Sequence, residues 1–118
     1  MPRWSAAEIL APTSDSRFRR MVVAENRVRV ALLGYAAGDS VHLHAHLESD
    51  EIFFVVAGRA IFQIDGESTE VGAGDLLHVG AGQRHSIQIP DEPLVLLAVV
   101  APNLEDAWVA EPGPGDPR

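Results

Sequence analysis

Five histidines fall between residues 42 and 85, and three of them stand in His42-Leu43-His44-Ala45-His46. Residues two apart on a strand point the same way, so His44 and His46 present two imidazoles on one face. Two ring nitrogens at that separation can share one metal ion. After a turn over 47–50, Glu51 opens the next apolar segment, where a carboxylate can return to the same point. His85 follows the turn Gly80-Ala81-Gly82, at the start of a segment that a closed barrel can bring opposite the first pair. His42 shares the parity of His44 and His46. It is expected either at the pocket mouth, as a partner of the ligands or a proton shuttle, or as a partly exposed strand histidine. His78, in Leu76-Leu77-His78-Val79, is expected to be a hydrogen-bonded barrel histidine.

Other chemistries are closed to this chain. With no cysteine among its 118 residues, it has no disulfide, thiolate ligand or cysteine nucleophile. All nine basic residues are arginine, which excludes Schiff-base chemistry and a lysine base. No P-loop or dinucleotide fingerprint is present. Seventeen acidic residues give a formal charge of −8, so nucleic acid and anionic membranes are poor partners. The longest apolar run, Leu94–Ala101, is too short to span a bilayer. The first twenty residues show no secretory signal, and the cytoplasm is the expected compartment.

The elements that must position the histidines read as strands. Phe18–Ala24 and Arg27–Tyr35 are rich in β-branched residues, with a tight turn expected at Glu25-Asn26. Glu51–Val56, Ala60–Ile64, Leu76–Val79, His85–Ile89 and Leu94–Ala101 follow, punctuated by glycine. Asp65-Gly66 predicts a type I′ hairpin, whose two central residues need positive φ. Ser5 and Glu8 fit a capping box opening a short helix that Pro12 ends. The chain length suits one domain (1–118), divided into an arm (1–17), a barrel (18–101) and a tail (102–118) with Glu111–Arg118 disordered. Many short strands without a central helix predict an all-β sandwich or barrel.

Gly38-x5-His44-x-His46-x4-Glu51-x6-Gly58 resembles the first sequence motif of the cupin superfamily at every defined position. Gly74-x5-Gly80-x-Gly82-x2-His85-x3-Ile89 resembles the second, with Gly80 where proline is usual and Ile89 where asparagine is usual. The short segment 59–73 between the motifs is like that of small bacterial single-domain cupins. The resemblance implies a double-stranded β-helix, or jelly-roll, barrel. It also implies that His44, His46, Glu51 and His85 ligate one divalent ion. Fe2+, Mn2+, Ni2+, Co2+, Cu2+ and Zn2+ all suit three imidazoles and a carboxylate, which leave two positions on a six-coordinate ion for water, oxygen or substrate.

By alternation Phe53, Val55, Phe62, Ile87 and Ile89 are the pocket-lining candidates, or else plain barrel core. Gln83 and Arg84, beside His85, could bind an anionic group at the rim. Trp4 and Trp108 are expected to anchor the termini. Three functions stay open. One is a metal-dependent oxygenase acting on a small, aromatic or enol, organic molecule. The second is a non-redox isomerase, cyclase or lyase, and the third a binding or sensing module without turnover. Strands apolar on both faces, such as Ile52–Val56, predict a homodimer.

Overall fold

The structure, a computed structural model, describes residues 2–10, 15–105 and 107–109. Among these, ten strands form two antiparallel five-stranded sheets. The first contains β1 (Phe18–Ala24), β2 (Arg29–Tyr35), β4 (Asp50–Ala57), β7 (Leu76–Val79) and β9 (Leu94–Ala101), in the order β1-β2-β9-β4-β7. The second contains β3 (Ser40–His46), β5 (Arg59–Ile64), β6 (Glu67–Gly72), β8 (His85–Gln88) and β10 (Ala107–Val109), in the order β10-β3-β8-β5-β6. From β2 onward the chain crosses between sheets at every connection except the β5–β6 hairpin. This is the double-stranded β-helix that the resemblance implies.

Alternation sets what faces inward. In β9 every second residue, Leu94, Leu96, Ala98 and Val100, is buried. The first three of these meet Phe53 and Val55 of β4 and Ala60, Phe62 and Ile87 of the opposite sheet in one core, where the Phe53 and Phe62 rings lie 5.1 Å apart. Asp65 and Gly66 both take positive φ, 48° and 85°, as a type I′ turn requires. Gly58 also has positive φ, and a Cβ there would collide with the Pro93 carbonyl.

Some boundaries differ from expectation. The first hairpin closes between Glu25 and Val28, which exchange main-chain hydrogen bonds, so the loop is Asn26-Arg27, one residue later than predicted. Strand β8 ends at Gln88, because Ile89 turns its main chain to Gly38 and Asp39. Strand β6 reads Glu-Ser-Thr-Glu-Val-Gly, and its first four residues are exposed. It is an edge strand with one neighbour, so its sequence carries almost no apolar signal. In the arm, Ser5 caps a helix over Ala6–Ile9 by accepting from the Glu8 N–H, and its hydroxyl donates to the Glu8 carboxylate. Pro12 and the Glu111–Arg118 end lie outside the described residues.

Candidate metal centre

Strand β3 supplies His44 and His46, β4 supplies Glu51 and β8 supplies His85, so both sheets contribute. One donor atom from each of the four lies within 4.8 Å of the others. Donors around one ion, each about 2.0–2.2 Å from it, stand at most about 4.4 Å apart. Side-chain rotations of a few tenths of an ångström therefore gather all four on one point.

The local hydrogen bonds aim the rings. The Nδ1–H of His44 donates to the His42 carbonyl at 2.7 Å, and that of His85 to the Gln83 carbonyl at 3.0 Å. Both Nε2 atoms are thereby left as lone-pair donors, the arrangement metal-ligating histidines use. Glu51 Oε1 is 3.1 Å from His46 Nε2 and 3.4 Å from His85 Nε2. Yet Glu51 Oε1 and His85 Nε2 are buried without a hydrogen bond of acceptable geometry. Buried polar atoms left this way are costly unless a further group satisfies them. A cation among these lone pairs does so, and the residues fit one.

The electrostatics agree with that fit. Burial opposes ionisation of Glu51, but hydrogen bonds from the His46 and His85 rings in their protonated form outweigh it and hold the carboxyl down at about 2. Burial lowers the His44 pKa below its ordinary value, helped by His85, despite the opposing bond to the His42 carbonyl. The cluster at neutral pH is one carboxylate and a neutral His44, as metal binding needs.

His42 does not follow the parity read from the sequence. Val41 pairs with Ile87 and His44 with His85, so three steps on β3 match two on β8. That extra residue is a β-bulge, and it uncouples the side chain of His42 from those of His44 and His46. The part of His42 that serves the cluster is its carbonyl. His78 is exposed and bonds Asp50 at 3.0 Å on the outer face. The rim candidates are engaged elsewhere: Gln83 bonds Gly80 and Asp65, and the Arg84 guanidinium stacks 4.3 Å over the Trp108 ring. Trp4 is nearly half exposed.

Phe53, Val55, Phe62, Ile87 and Ile89 are all buried in the core, and of these Phe53 has its ring 6.1 Å from that of His85. The cavity beside Glu51, of about 230 Å³, has a different lining: Arg19, Arg29, Ala31, Leu33, Ala98 and Val100. A larger hollow of about 360 Å³ lies by Arg59 and Asp91 and contains none of the clustered residues. The signal for the first cavity lay in the alternation Arg29-x-Ala31-x-Leu33-x-Tyr35, which puts two polar residues on an inward face. Burial, and then the Glu51 charge, push the Tyr35 phenol up to about 12, so it remains a proton donor.

A family model described as a cupin domain matches residues 31–100. An uncharacterized protein of Streptomyces coelicolor is 35% identical over 66% of this chain and 73% of its own length. An oxalate-binding protein of Thermotoga maritima is 32% identical over 64% of each chain. A quercetin 2,3-dioxygenase of Bacillus subtilis is 30% identical over 57% of this chain but only 20% of the enzyme. Among solved structures, a Klebsiella pneumoniae protein with a double-stranded β-helix domain superposes with a TM-score of 0.76 at 26% identity. It covers 95% of this chain and 99% of its own.

Proposed function

The chain belongs to the cupin family, and on that premise we propose that His44, His46, Glu51 and His85 hold one divalent ion in an oxygenase for a small organic molecule. The observation that carries this reading is the buried pair Glu51 Oε1 and His85 Nε2, unsatisfied within a cluster of four donors. A bound transition metal supplies Lewis acidity there and, if it is iron, manganese or copper, one-electron chemistry with dioxygen. The chain's own residues do the rest. Phe53 and the apolar wall exclude water from the imidazoles. A cavity of about 230 Å³ lies below the common range of about 300–1,000 Å³ for ligand pockets, so the substrate is small. The likeness to a dioxygenase supports the redox class for the barrel alone, since four-fifths of that enzyme lies outside the match.

Binding without turnover is the second reading. It is favoured by the likeness to an oxalate-binding protein and by the absence from the cluster of a separate general base such as the His42 side chain. The experiment is elemental analysis of protein purified without added metal, followed by dioxygen-uptake assays with small enols, keto acids and hydroxy acids. About one iron, manganese or copper per chain with substrate-dependent uptake is expected. Zinc alone, with no uptake, sinks the oxygenase and leaves the binding module.

A further inference from the structure

The wall of the cavity beside Glu51 carries two arginines that have no acidic partner among the described residues. Arg29, Val100 and Glu51 lie in one cross-strand row, because Val100 pairs with both of the others. All three line the cavity. With strands about 4.8 Å apart, the Arg29 and Glu51 backbones stand about 10 Å from each other, and one strand separates them. Ala31 and Ala98, directly paired in the next row, keep the floor between them open. Arg29 is half-buried and is braced by the neutral Asn103 side chain at 3.1 Å. Arg19, exposed on β1, closes the same cavity from the edge of the sheet.

That neither meets an acid among the described residues is conspicuous in a chain with seventeen acids and nine arginines. Arg17 and Arg59, on the outside, each have an acidic partner: Asp39 for Arg17, and Asp91 and Glu92 for Arg59. The acid nearest along the wall, Glu51, has its Oε1 turned to the cluster, 3.1 and 3.4 Å from two imidazole nitrogens. We propose that Arg19 and Arg29 are the anion-binding wall of this site, and that the small molecule it takes carries a carboxylate. One end meets the ion at Glu51, and the carboxylate lies in the guanidinium forks, which match its two oxygens. Cationic ligands are repelled and neutral ones lack the partner that the forks need. This inference rests on the metal-site reading for the other end of the ligand and names the ligand class that reading left open.

Titration calorimetry on the manganese-loaded chain, with metal content measured in every sample, tests it using malonate and its neutral counterpart malonamide. Malonate should bind wild type at least about tenfold more tightly than malonamide. Arg29→Gln and Arg19→Gln should each cost malonate about tenfold or more, with malonamide affinity, manganese content and melting curve unchanged. Because Arg19 is exposed on an edge strand, R19Q decides the matter even if R29Q does not fold. Equal malonate affinity in wild type and variants overturns the proposal, and so does loss of manganese along with the malonate. If wild type takes up no manganese, the metal reading fails by itself. Malonate titrated into the metal-free chain then decides the arginines: binding lost in R19Q supports them, and absent or unaltered binding overturns them.

Discussion

His44 and His85 each give the Nδ1 proton to a main-chain carbonyl two residues earlier, so backbone fixes both rings. Substitutions of neighbouring side chains should therefore spare the centre, and substitutions of the donors should not. Glu51→Gln keeps the shape and removes the charge, and His85→Ala removes a donor. Both should weaken metal binding about tenfold or more in a titration followed by calorimetry, while far-ultraviolet dichroism remains that of the wild type. His42→Ala retains the carbonyl and should retain the metal, and equal loss in that variant would contradict the assignment. His44 and His46 were legible from their type and two-residue spacing, and the full set of four from the resemblance of the two motifs. The serving atom of His42 was not, because a carbonyl is common to every residue. Nor were Arg19 and Arg29, whose inward direction follows only from pairing with strands distant in sequence.

Strands with a buried face announced themselves. β7 and β9 have the bounds that their apolar segments predict, whereas edge strand β6 had no such pattern to read. Turns carry a second layer of information, and Asp39 is the case with a measurable consequence. Its carboxylate accepts from the Arg17 guanidinium and from the Ala36 N–H, while its own carbonyl accepts from Ile89 N–H. One turn thus joins the arm, the start of β3 and the end of β8. The Arg17 bond, and then the Ala36 N–H, hold the Asp39 carboxyl below its ordinary pKa. A depressed carboxyl stabilises the fold above its unfolded pKa, and that contribution is lost as pH falls through the folded one. Asp39→Asn should accordingly lower the melting temperature at pH 7. The gap from wild type should close as the pH drops below the ordinary aspartate range. A gap that persisted into strong acid would mean that the turn is held by something other than this charge.

At the scale of the molecule, the centre straddles the barrel: Glu51 comes from one sheet and the three histidines from the other. The donors converge only in the folded state, so metal affinity adds directly to folding free energy. Chelation with EDTA should lower the melting temperature by several degrees, and a divalent ion should restore it. An unchanged curve after proven removal of metal would contradict this. The outer face of the Glu51 sheet is apolar in two adjoining rows, Leu76–Phe54–Leu97–Leu32 and Ile52–Val99–Val30. Ile52 and Phe54 are each 38% exposed and Leu76 64%. Strand β1 pairs with β2 of its own chain, so this face, rather than an exchanged arm, is the natural surface for association. Light scattering at micromolar concentration should give twice 12.7 kDa, and Phe54→Glu should return the monomer. A wild-type monomer would leave the face to the arm.

The extra residue in β3 works like a frameshift written in three dimensions. Delete one position between Val41 and His44, and the four donors survive in the sequence with nearly the same intervals. Val41 and His44 then stand two apart, so both still point inward when paired with Ile87 and His85. What goes is the bulged backbone that brings the His42 carbonyl to the His44 ring. Homologous chains that carry every motif residue but lack that single insertion would spell the same word in phase, and would have to aim the first imidazole by some other means.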